Sequence, residues 1–246
     1  MVIKIGGSFL KEPSNLYLLC NELKLLASPY VIIHGGGERI TDFSKKLGYT
    51  TQFNQGVRLT TAELMPLIDM ILSGEINTSL VRIFRKNKIP AVGLTGADGL
   101  ITGTPLHEQS RTGYATTCNT TLIHVLWQKG YIPIIASVAS DTQYHALNIN
   151  ADTMAQACAL ALQSNVLVSL SDVSGIYNNN TLLRTLHAKD IETLIDRKTI
   201  RGGMIVKLRS MKELVLKGIN SIHIGTIKKK GDLHLLLQGE IGTRVH

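Results

Sequence analysis

The chain has 246 residues, of which 44% are hydrophobic and 18% are charged, an ordinary composition for a folded protein. This length allows one large α/β unit or two closely joined lobes. No apolar run approaches the roughly 18 residues that span a membrane. The N-terminus leads straight into a predicted strand without a signal peptide, so we expect a cytoplasmic protein with no membrane contact.

The net charge is +8, which raises the question of nucleic-acid binding. The basic residues are scattered, and their only run, residues 228–230, contains no aromatic residue, so we expect no nucleic-acid partner. A basic surface also suits a site for multiply anionic small molecules. Cys20, Cys118 and Cys158 are far apart in the sequence, so we expect reduced thiols, no disulfide framework and no metal ligated by the protein.

Two short apolar runs end in glycines. Residues 2–5 include Lys4 and precede Gly6 and Gly7, and residues 30–34 precede three glycines and a helical pattern. Each predicts a strand, a tight turn and a helix N-terminus, where free N–H groups and the helix dipole favour an anion. A right-handed βαβ unit places both turns at the carboxyl edge of one sheet. The alternatives are turns without a ligand and an edge strand whose Lys4 faces water.

Two further stretches carry polar side chains next to predicted helix starts. Residues 50–60 predict a hairpin that presents Arg58, whose guanidinium fork suits a carboxylate, although an isolated arginine is more often a surface residue. Asn148, Asn150 and Asp152 precede a helix over residues 154–162. Capping by Asn150 or Asp152 accounts for one of the three polar residues, and three are more than a cap needs.

The other predicted elements complete an α/β pattern. We predict one or two helices over residues 61–88, a third glycine turn at residues 95–99, and a small β excursion over residues 100–118. Core strands follow at 131–138, 166–171 and 221–225, the last predicted to be the final strand. A loop over 201–207 leads into a helix that ends at Leu216, with Lys207 in its first turn, where the dipole calls for a compensating anion.

This combination of residues favours phosphoryl transfer, a reaction that depends on positioning and charge neutralisation. It consists of glycine turns at one sheet edge, two lysines, a carboxylate and an arginine. The usual P-loop, dinucleotide and protein-kinase motifs are absent. From the residues alone, the chain is predicted to bind a nucleotide or a phosphorylated ligand.

Six motifs in order along the chain resemble those of the amino-acid kinase family. They are VIKIGG at residues 2–7, HGGG at 34–37, GVRLT at 56–60, NINAD at 148–152, LSDVSGI at 170–176 and GGMIVK at 202–207. Each motif is weak by itself, but the ordered set is highly specific. The resemblance implies a three-layer αβα sandwich with a mostly parallel sheet of about eight strands. It also implies an acceptor-binding and dimerisation lobe over residues 1–163 and a nucleotide-binding lobe over 164–246.

The resemblance further implies transfer of the ATP γ-phosphoryl to the side-chain carboxylate of N-acetyl-L-glutamate, the second step of arginine biosynthesis. Lys4 and Lys207 would stabilise the transition state and Asp152 would organise them. The residues that would meet the phosphoryl and the acceptor are Gly7, Gly36, Gly37, Arg58, Asn148 and Asn150. The nucleotide pocket would be lined by Ser171, Asp172, Val173, Ser174, Gly175, Ile176, Thr199, Ile200 and Arg201. Mg²⁺ would arrive with ATP, held mostly by phosphates and water.

Two positions depart from the family pattern and leave the acceptor open. Glu38 stands where many relatives carry proline, and Ala97 where a number carry lysine. Glu38 would add negative charge near the acceptor. The alternatives are aminoadipate or another small acid as acceptor, a non-catalytic ligand sensor, and a nucleic-acid-binding module. Because the chain begins at its first strand, we expect a homodimer built on residues 61–88, without the strong arginine feedback of hexameric relatives.

Overall fold

A computed structural model describes residues 1–54, 56–196 and 203–246. Its strands form one large sheet, a small closed barrel and two hairpins. The strands are β1 (Val2–Ile5), β2 (Val31–His34), β3 (Gln52–Asn54), β4 (Val57–Leu59), β5 (Ala91–Thr95), β6 (Ile101–Pro105), β7 (Thr112–Cys118), β8 (Ile132–Ala136), β9 (Val138–Ser140), β10 (Ala146–Ile149), β11 (Val166–Leu170), β12 (Tyr177–Asn178), β13 (Thr181–Leu182), β14 (Thr185–Leu186), β15 (Ser221–Gly225) and β16 (Thr243–Val245).

The helices flank the large sheet. They are α1 (Gly7–Leu10), α2 (Pro13–Leu23), α3 (Gly37–Lys46), α4 (Met65–Asp69), α5 (Asn77–Lys86), α6 (Thr121–Gln128), α7 (Ala151–Ala161), α8 (Ile191–Asp196), α9 (Gly203–Leu216) and α10 (Asp232–Gln238). A π-helical segment, Met70–Ile76, joins α4 to α5, and a 3₁₀ turn, Ala188–Asp190, precedes α8.

The central sheet of the described chain has eight strands in the order β14-β16-β15-β11-β1-β2-β8-β5. Neighbours are parallel except for the antiparallel pair β15 and β16. This arrangement confirms the predicted α/β fold with a mostly parallel sheet of about eight strands. The β-branched runs of β1, β2 and β8 are buried on both faces, as parallel strands between helices must be.

The two faces of the sheet form separate hydrophobic cores. Ile3 and Ile5 pack on the side of α2, α5 and α10, whereas Val2 packs on the side of α6, α7 and α9. Because side chains alternate along a strand, Lys4 points to the same side as Val2. The sequence of β1 therefore directs Lys4 towards α7.

Several predicted elements differ from the observed ones in their bounds. The predicted helix over residues 61–88 is α4, the π-helical segment and α5 in continuous succession, and the π-helical segment covers the expected interruption. The predicted loop up to residue 207 is wrong from Gly203 onwards, because α9 begins there and places Lys207 in its second turn. Ser221–Gly225 is not the last strand, since β16 follows it along the chain.

The small barrel contains β6, β7, β9 and β10, of which β6 and β7 lie in the predicted β excursion over residues 100–118 and the other two strands were not predicted. The hairpin β3–β4 projects beside it, with Phe53 opposite Arg58. The neighbouring strands β1 and β11 lie at the centre of the large sheet, and β1 belongs to the first predicted lobe and β11 to the second. The division into two lobes stays a prediction.

The cysteines are free, but two of them are close together. Cys118 Sγ lies 3.7 Å from Cys158 Sγ, although 40 residues separate them in the chain. Among the described residues, no helix is both long and apolar enough to cross a membrane.

Candidate active site

The carboxyl ends of β1 and β2, the hairpin β3–β4 and the start of α7 enclose a cavity of about 190 Å³. Every residue predicted to meet the phosphoryl or the acceptor lines this cavity, together with Lys4 and Asp152. These residues are Gly7, Gly36, Gly37, Arg58, Asn148 and Asn150. The structure thus brings together side chains and glycines that are up to about 150 residues apart in the sequence.

Two lysines flank one carboxylate at the cavity. Lys4 Nζ lies 3.0 Å from Asp152 Oδ1, and Lys207 Nζ lies 3.8 Å from Asp152 Oδ2. Lys4 comes from β1, Asp152 from the first turn of α7 and Lys207 from α9. Lys4 is buried, with 8% of its surface exposed, so this lysine depends on a nearby anion.

The charges of this triad depend on one another. Burial alone would raise the pKa of Asp152, but the ammonium groups of Lys4 and Lys207 outweigh burial and hold that pKa below its usual value. Burial lowers the pKa of Lys207, and Asp152 opposes that shift. Asp152 is therefore ionised at neutral pH and keeps two cations next to each other at the cavity.

The glycine turns are shaped by close packing. A Cβ atom on Gly36 would meet the side chain of Ile76 and would lie 2.8 Å from Leu72 Cδ2. A Cβ atom on Gly7 would lie 3.5 Å from the backbone nitrogen of Gly37. Glycine therefore lets the two turns and the π-helical segment approach one another, and the N–H groups that open α1 and α3 have no acceptor inside their helices.

Arg58 reaches the cavity from β4. Its Nη2 donates to Gly37 O and to Thr41 Oγ1, both at 2.7 Å, and its guanidinium carbon lies 4.6 Å from the centre of the Phe53 ring. Among the described residues, Nη1 is buried and has no hydrogen-bond partner. Burial lowers the pKa of Arg58 from its ordinary high value. The unpaired donor is suited to an anionic group in the cavity.

The two asparagines have different surroundings. Asn150 caps α7, because its Oδ1 accepts from the backbone N–H of Asp152 at 2.8 Å. Capping thus accounts for Asn150 and fixes the turn that carries Asp152. Asn148 Nδ2 donates to Thr60 Oγ1 at 2.9 Å, and Asn148 also lines the cavity. A carboxylate would have to meet Asn148 through an amide hydrogen not used by Thr60.

The residues predicted to bind the nucleotide occupy the turn after β11 and its continuation. Asp172 Oδ1 accepts from Ser8 Oγ at 2.9 Å, which connects this turn to the first glycine corner. Ile176 is fully buried, and its N–H donates to Thr243 Oγ1. Val173 is exposed, whereas Gly175 has a φ of +151° and a Cβ there would lie 2.6 Å from Thr243 Oγ1. The predicted residues Thr199, Ile200 and Arg201 lie outside the described residues.

A second cavity, of about 620 Å³, lies beside this turn. Its charged lining residues are basic apart from Asp232, and sequence analysis missed most of the lining. The lining residues are Ser174, Tyr177, Leu182, Arg184, Thr226, Lys228, Lys229, Asp232, Ile241 and Gly242. Ser174 was predicted to bind the nucleotide, and the basic run at residues 228–230 was also noted in the sequence. Asp232 holds that run by accepting from the N–H groups of Lys228 and Lys229.

Sequence analysis also missed residues that shape the first cavity. Ser137 and Phe53 line it, and buried Thr112 donates to Arg58 O while accepting from Thr60 N, both at 2.7 Å. None of these residues stands in a motif. The third glycine turn, at residues 95–99, does not line the cavity, and in it Asp98 accepts from the N–H of Thr95.

The two departures from the family pattern lie away from the cavity. Glu38 forms an exposed ion pair with Lys11, 2.7 Å between Oε2 and Nζ, and lines a neighbouring cavity of about 350 Å³. Ala97 is exposed in the turn after β5. The negative charge of Glu38 is therefore paired with Lys11, and Glu38 is not among the residues that line the candidate acceptor cavity.

The arrangement can neutralise a group that carries several negative charges. Lys4, Asp152, Arg58 and the glycine turns line one small space, whereas the predicted residue Lys207 does not line it and reaches Asp152 from α9. Within the described residues, no cluster of three or more His, Cys, Asp or Glu side chains could hold a metal ion. These features belong to enzymes that stabilise a transferred phosphoryl by charge and position.

The fold and this site define an α/β phosphotransferase. The model of the amino acid kinase family matches residues 1–226. The chain belongs to the amino acid kinase family, and it is a kinase.

Curated relatives match over nearly the whole chain. The chain is 36% identical to the acetylglutamate kinase of Bacillus licheniformis over 251 residues, which cover 100% of this chain and 95% of the relative. It is 34% identical over 227 residues to that of Endomicrobium trichonymphae, with 91% of each chain covered.

Solved structures share the fold. A Streptococcus mutans UA159 protein superposes with a TM-score of 0.84 at 26% identity, covering 99% of this chain and 97% of its own. An N-acetylglutamate synthase from Neisseria gonorrhoeae, complexed with coenzyme A and N-acetyl-glutamate, superposes with a TM-score of 0.85 at 21% identity. The match covers 99% of this chain and 58% of the synthase, and at this identity it shows the fold alone.

Proposed function

We propose that this protein transfers the γ-phosphoryl of ATP to the side-chain carboxylate of N-acetyl-L-glutamate, giving N-acetyl-L-glutamyl 5-phosphate in the second step of arginine biosynthesis. The observation that carries this proposal is the cavity lined by Lys4, Asp152 and Arg58, in which Arg58 has an unpaired donor and Asp152 is also paired with Lys207. These cationic groups suit a small dicarboxylate that receives a phosphoryl group. The names of curated relatives that match nearly the whole chain support the acceptor.

Lys4 and Lys207 would divide the charge of the transferred phosphoryl between them. Asp152 holds both ammonium groups at one place before substrate binds, so little reorganisation is needed during the reaction. The N–H groups of Gly7, Gly36 and Gly37 would donate to phosphoryl oxygens. The protein then contributes positioning and charge and needs no covalent intermediate.

Arg58 and Asn148 would hold the α-carboxylate of the acceptor. The free Nη1 of Arg58 offers a charge-assisted hydrogen bond, and its Nη2 is already fixed by Gly37 and Thr41. Asn150 would act nearby, mainly through the cap that orients Asp152.

ATP would lie against the turn of Ser171, Asp172, Val173, Ser174, Gly175 and Ile176 and extend into the cavity of about 620 Å³ beside Ser174. Thr199, Ile200 and Arg201 stay in the proposal on the resemblance alone. Mg²⁺ would be held mostly by ATP phosphates and water, since Asp152 is already paired with two lysines. The chemistry that this ion supplies is neutralisation of phosphate charge.

We further propose a cytoplasmic homodimer built on residues 61–88. Exposed Met70 on the π-helical segment gives this region an apolar contact point, with 63% of its surface exposed. The alternative acceptors are aminoadipate and other small acids, which the same arginine and lysines would also attract. A non-catalytic sensor would not need the lysine–aspartate–lysine triad.

The direct test is ATP turnover with N-acetyl-L-glutamate, L-glutamate and 2-aminoadipate, each with and without Mg²⁺. We expect turnover only with N-acetyl-L-glutamate and Mg²⁺, with the acyl phosphate trapped by hydroxylamine. Turnover with another acid alone would replace the acceptor and keep the kinase. ATP binding without turnover on any acid would contradict the proposal.

The same assay tests the acceptor end with Arg58→Ala. Loss of a charge-assisted hydrogen bond costs about 1.5–3 kcal/mol, so KM for the acid should rise roughly 10- to 150-fold. Arg82→Ala, at an exposed arginine on α5, is the control and should leave KM unchanged. An unchanged KM in Arg58→Ala would remove Arg58 from the site.

A further inference from the structure

A buried hydrogen-bond network lies behind the second glycine turn. His34, the last residue of β2, is fully buried, with Nδ1 3.0 Å from Gly35 O and Nε2 3.1 Å from Asn77 Nδ2. Asn77 Nδ2 also lies 2.9 Å from Ile134 O and 3.2 Å from Leu94 O. Because β2, β8 and β5 are adjacent in the sheet, one side-chain amide connects three neighbouring strands.

The partners of this network fix the proton on the His34 ring. Carbonyl oxygens only accept, so the amide nitrogen of Asn77, and not its oxygen, faces Ile134 and Leu94. Gly35 O also only accepts, so Nδ1 carries the ring proton, and Nε2 of the neutral ring is then an acceptor that faces the Asn77 amide. The two hydrogens of that amide are shared among Ile134 O, Leu94 O and His34 Nε2. Burial lowers the pKa of His34 to about 4, which keeps the ring in this neutral form at neutral pH.

Two local features bring Asn77 to the sheet. Gly93 on β5 has no side chain, and a Cβ there would overlap Asn77 Oδ1. The π-helical segment that ends at Ile76 packs Leu72 and Ile76 against Gly36 and delivers Asn77 as the next residue. Asn77 is only 4% exposed. An apolar side chain in this place would need no hydrogen-bond partners, whereas the buried amide of Asn77 does.

We propose that Asn77 and His34 are positioning residues that fix the Gly35–Gly36 peptide for phosphoryl transfer, an inference that rests on the proposed function. In a trans peptide the N–H points away from the C=O. Holding Gly35 O against the His34 ring therefore turns the Gly36 N–H to the opposite side, and that N–H has no acceptor among the described residues. Neither His34 nor Asn77 lines the cavity, so both act through the peptide.

The first test is the ¹⁵N and ¹H spectrum of His34 in the unaltered protein. We expect a single neutral form of the ring, with its proton on Nδ1. We also expect Nε2 to stay unprotonated well below pH 6. A proton on Nε2, or titration near the ordinary value of 6.5, would overturn the proposal. This measurement needs no substrate and no variant, so it is independent of whether the acceptor has been identified correctly.

The second test is Asn77→Asp, which keeps the shape and removes the N–H donor. The new carboxylate would draw a proton onto Nε2, so His34 should titrate above its present pKa and lose the fixed Nδ1–H form. Misorienting one backbone donor should lower kcat roughly 10- to 100-fold, less than the 10²–10³ typical of deleting one, with KM for the acid changed less than threefold. Asn77→Leu should give the same kinetic result if it folds.

The control is Asn87→Leu, which removes an asparagine from the end of the same helix, where its amide bonds only to Ile83 O in the described structure. It should leave both the His34 spectrum and kcat unchanged. A merely structural role for Asn77 would lower the folded fraction without changing kcat per folded molecule, and that result would refute positioning. If the unaltered protein and all variants showed no turnover while His34 gave the expected spectrum, the result would contradict the proposed acceptor. It would not contradict the hydrogen-bond network of His34 and Asn77.

Discussion

Lys4, Asp152 and Lys207 are the residues whose roles depend most directly on charge. In the structure each ammonium meets one oxygen of the same carboxylate, at 3.0 and 3.8 Å. The longer distance leaves Lys207 less tightly bound to Asp152, and this lysine is more exposed than Lys4. Lys207 is therefore freer to move towards a phosphoryl group, while Lys4 is already in place.

We expect Lys207→Ala and Lys4→Ala each to lower kcat roughly 10²- to 10³-fold, because each removes a charge that acts on the transition state. ATP affinity, measured by calorimetry, should change far less. Lys212→Ala is the control, since Lys212 lies on the same helix as Lys207 and pairs with Glu192. Equal losses in kcat and in ATP affinity would mean that the two lysines serve ground-state binding only.

For single residues, the sequence predicted the charged residues of the candidate site better than the uncharged residues that surround them. Lys4 was notable because a lysine in a buried strand needs an anion, and Asp152 because it opens a helix. Thr112 and Ser137 have no such signal, since a threonine or serine is compatible with almost any position. Their contribution comes from contacts between residues that are far apart in the chain, such as the 2.7 Å bond from Thr112 Oγ1 to Arg58 O.

The hairpin β3–β4 is the element that brings Arg58 to the cavity, and side-chain hydrogen bonds attach it to α3 and to β7. Thr112 on β7 holds it through two hydrogen bonds, donating to Arg58 O and accepting from Thr60 N. The side chain of Phe53 lies over the guanidinium and is 53% exposed. The position of Arg58 thus depends on a strand of the small barrel.

Thr112→Val should therefore weaken acceptor binding without touching the acceptor. The change leaves the buried N–H of Thr60 without its partner, which costs about 1–3 kcal/mol of unfolding free energy. We expect a lower urea midpoint and a raised KM for the acid with little change in KM for ATP. Thr116→Val, at an exposed threonine of the same strand, should change neither property. Equal effects of the two substitutions would contradict the anchoring role of Thr112.

Most elements were predictable in type, and the misses have physical causes. The β-branched runs of β1, β2, β8 and β11 gave the parallel strands. The strands β12, β13 and β14 have two residues each, too short for any alternating pattern. A π-helical segment has no sequence signature of its own, so the interruption near residues 73–74 was expected but its form was not.

The whole molecule combines a mostly parallel sheet with a candidate site at one edge, at the carboxyl ends of β1 and β2. The sequence predicted that edge because two glycine turns follow two strands of one unit. The sequence did not predict the cavity of about 620 Å³ beside Ser174. The residues that line this cavity come from four segments separated by up to about 70 residues. The place of Thr199, Ile200 and Arg201 stays a prediction.

At this scale we expect light scattering to give about twice the chain mass of 26.9 kDa, the mass of a homodimer. Met70→Glu should shift the protein towards the monomer, because it places a charge in the proposed apolar contact. Leu25→Glu is the control at another exposed apolar residue, outside residues 61–88, and should leave the mass unchanged. A hexamer, or a dimer unaffected by Met70→Glu, would contradict the proposed interface.

The π-helical segment also constrains how the chain can change in length. Each residue of an α-helix turns the helix by about 100°, whereas a π-helix closes i→i+5 bonds and turns less per residue, so the π-helical segment accommodates one extra residue without rotating α5 relative to α4. Deleting one residue between Met70 and Ile76 would therefore give an ordinary helix with α5 still in phase. Deleting two would turn α5 by about 100° and move Asn77 away from His34. We therefore expect a one-residue deletion to be tolerated here better than a two-residue deletion.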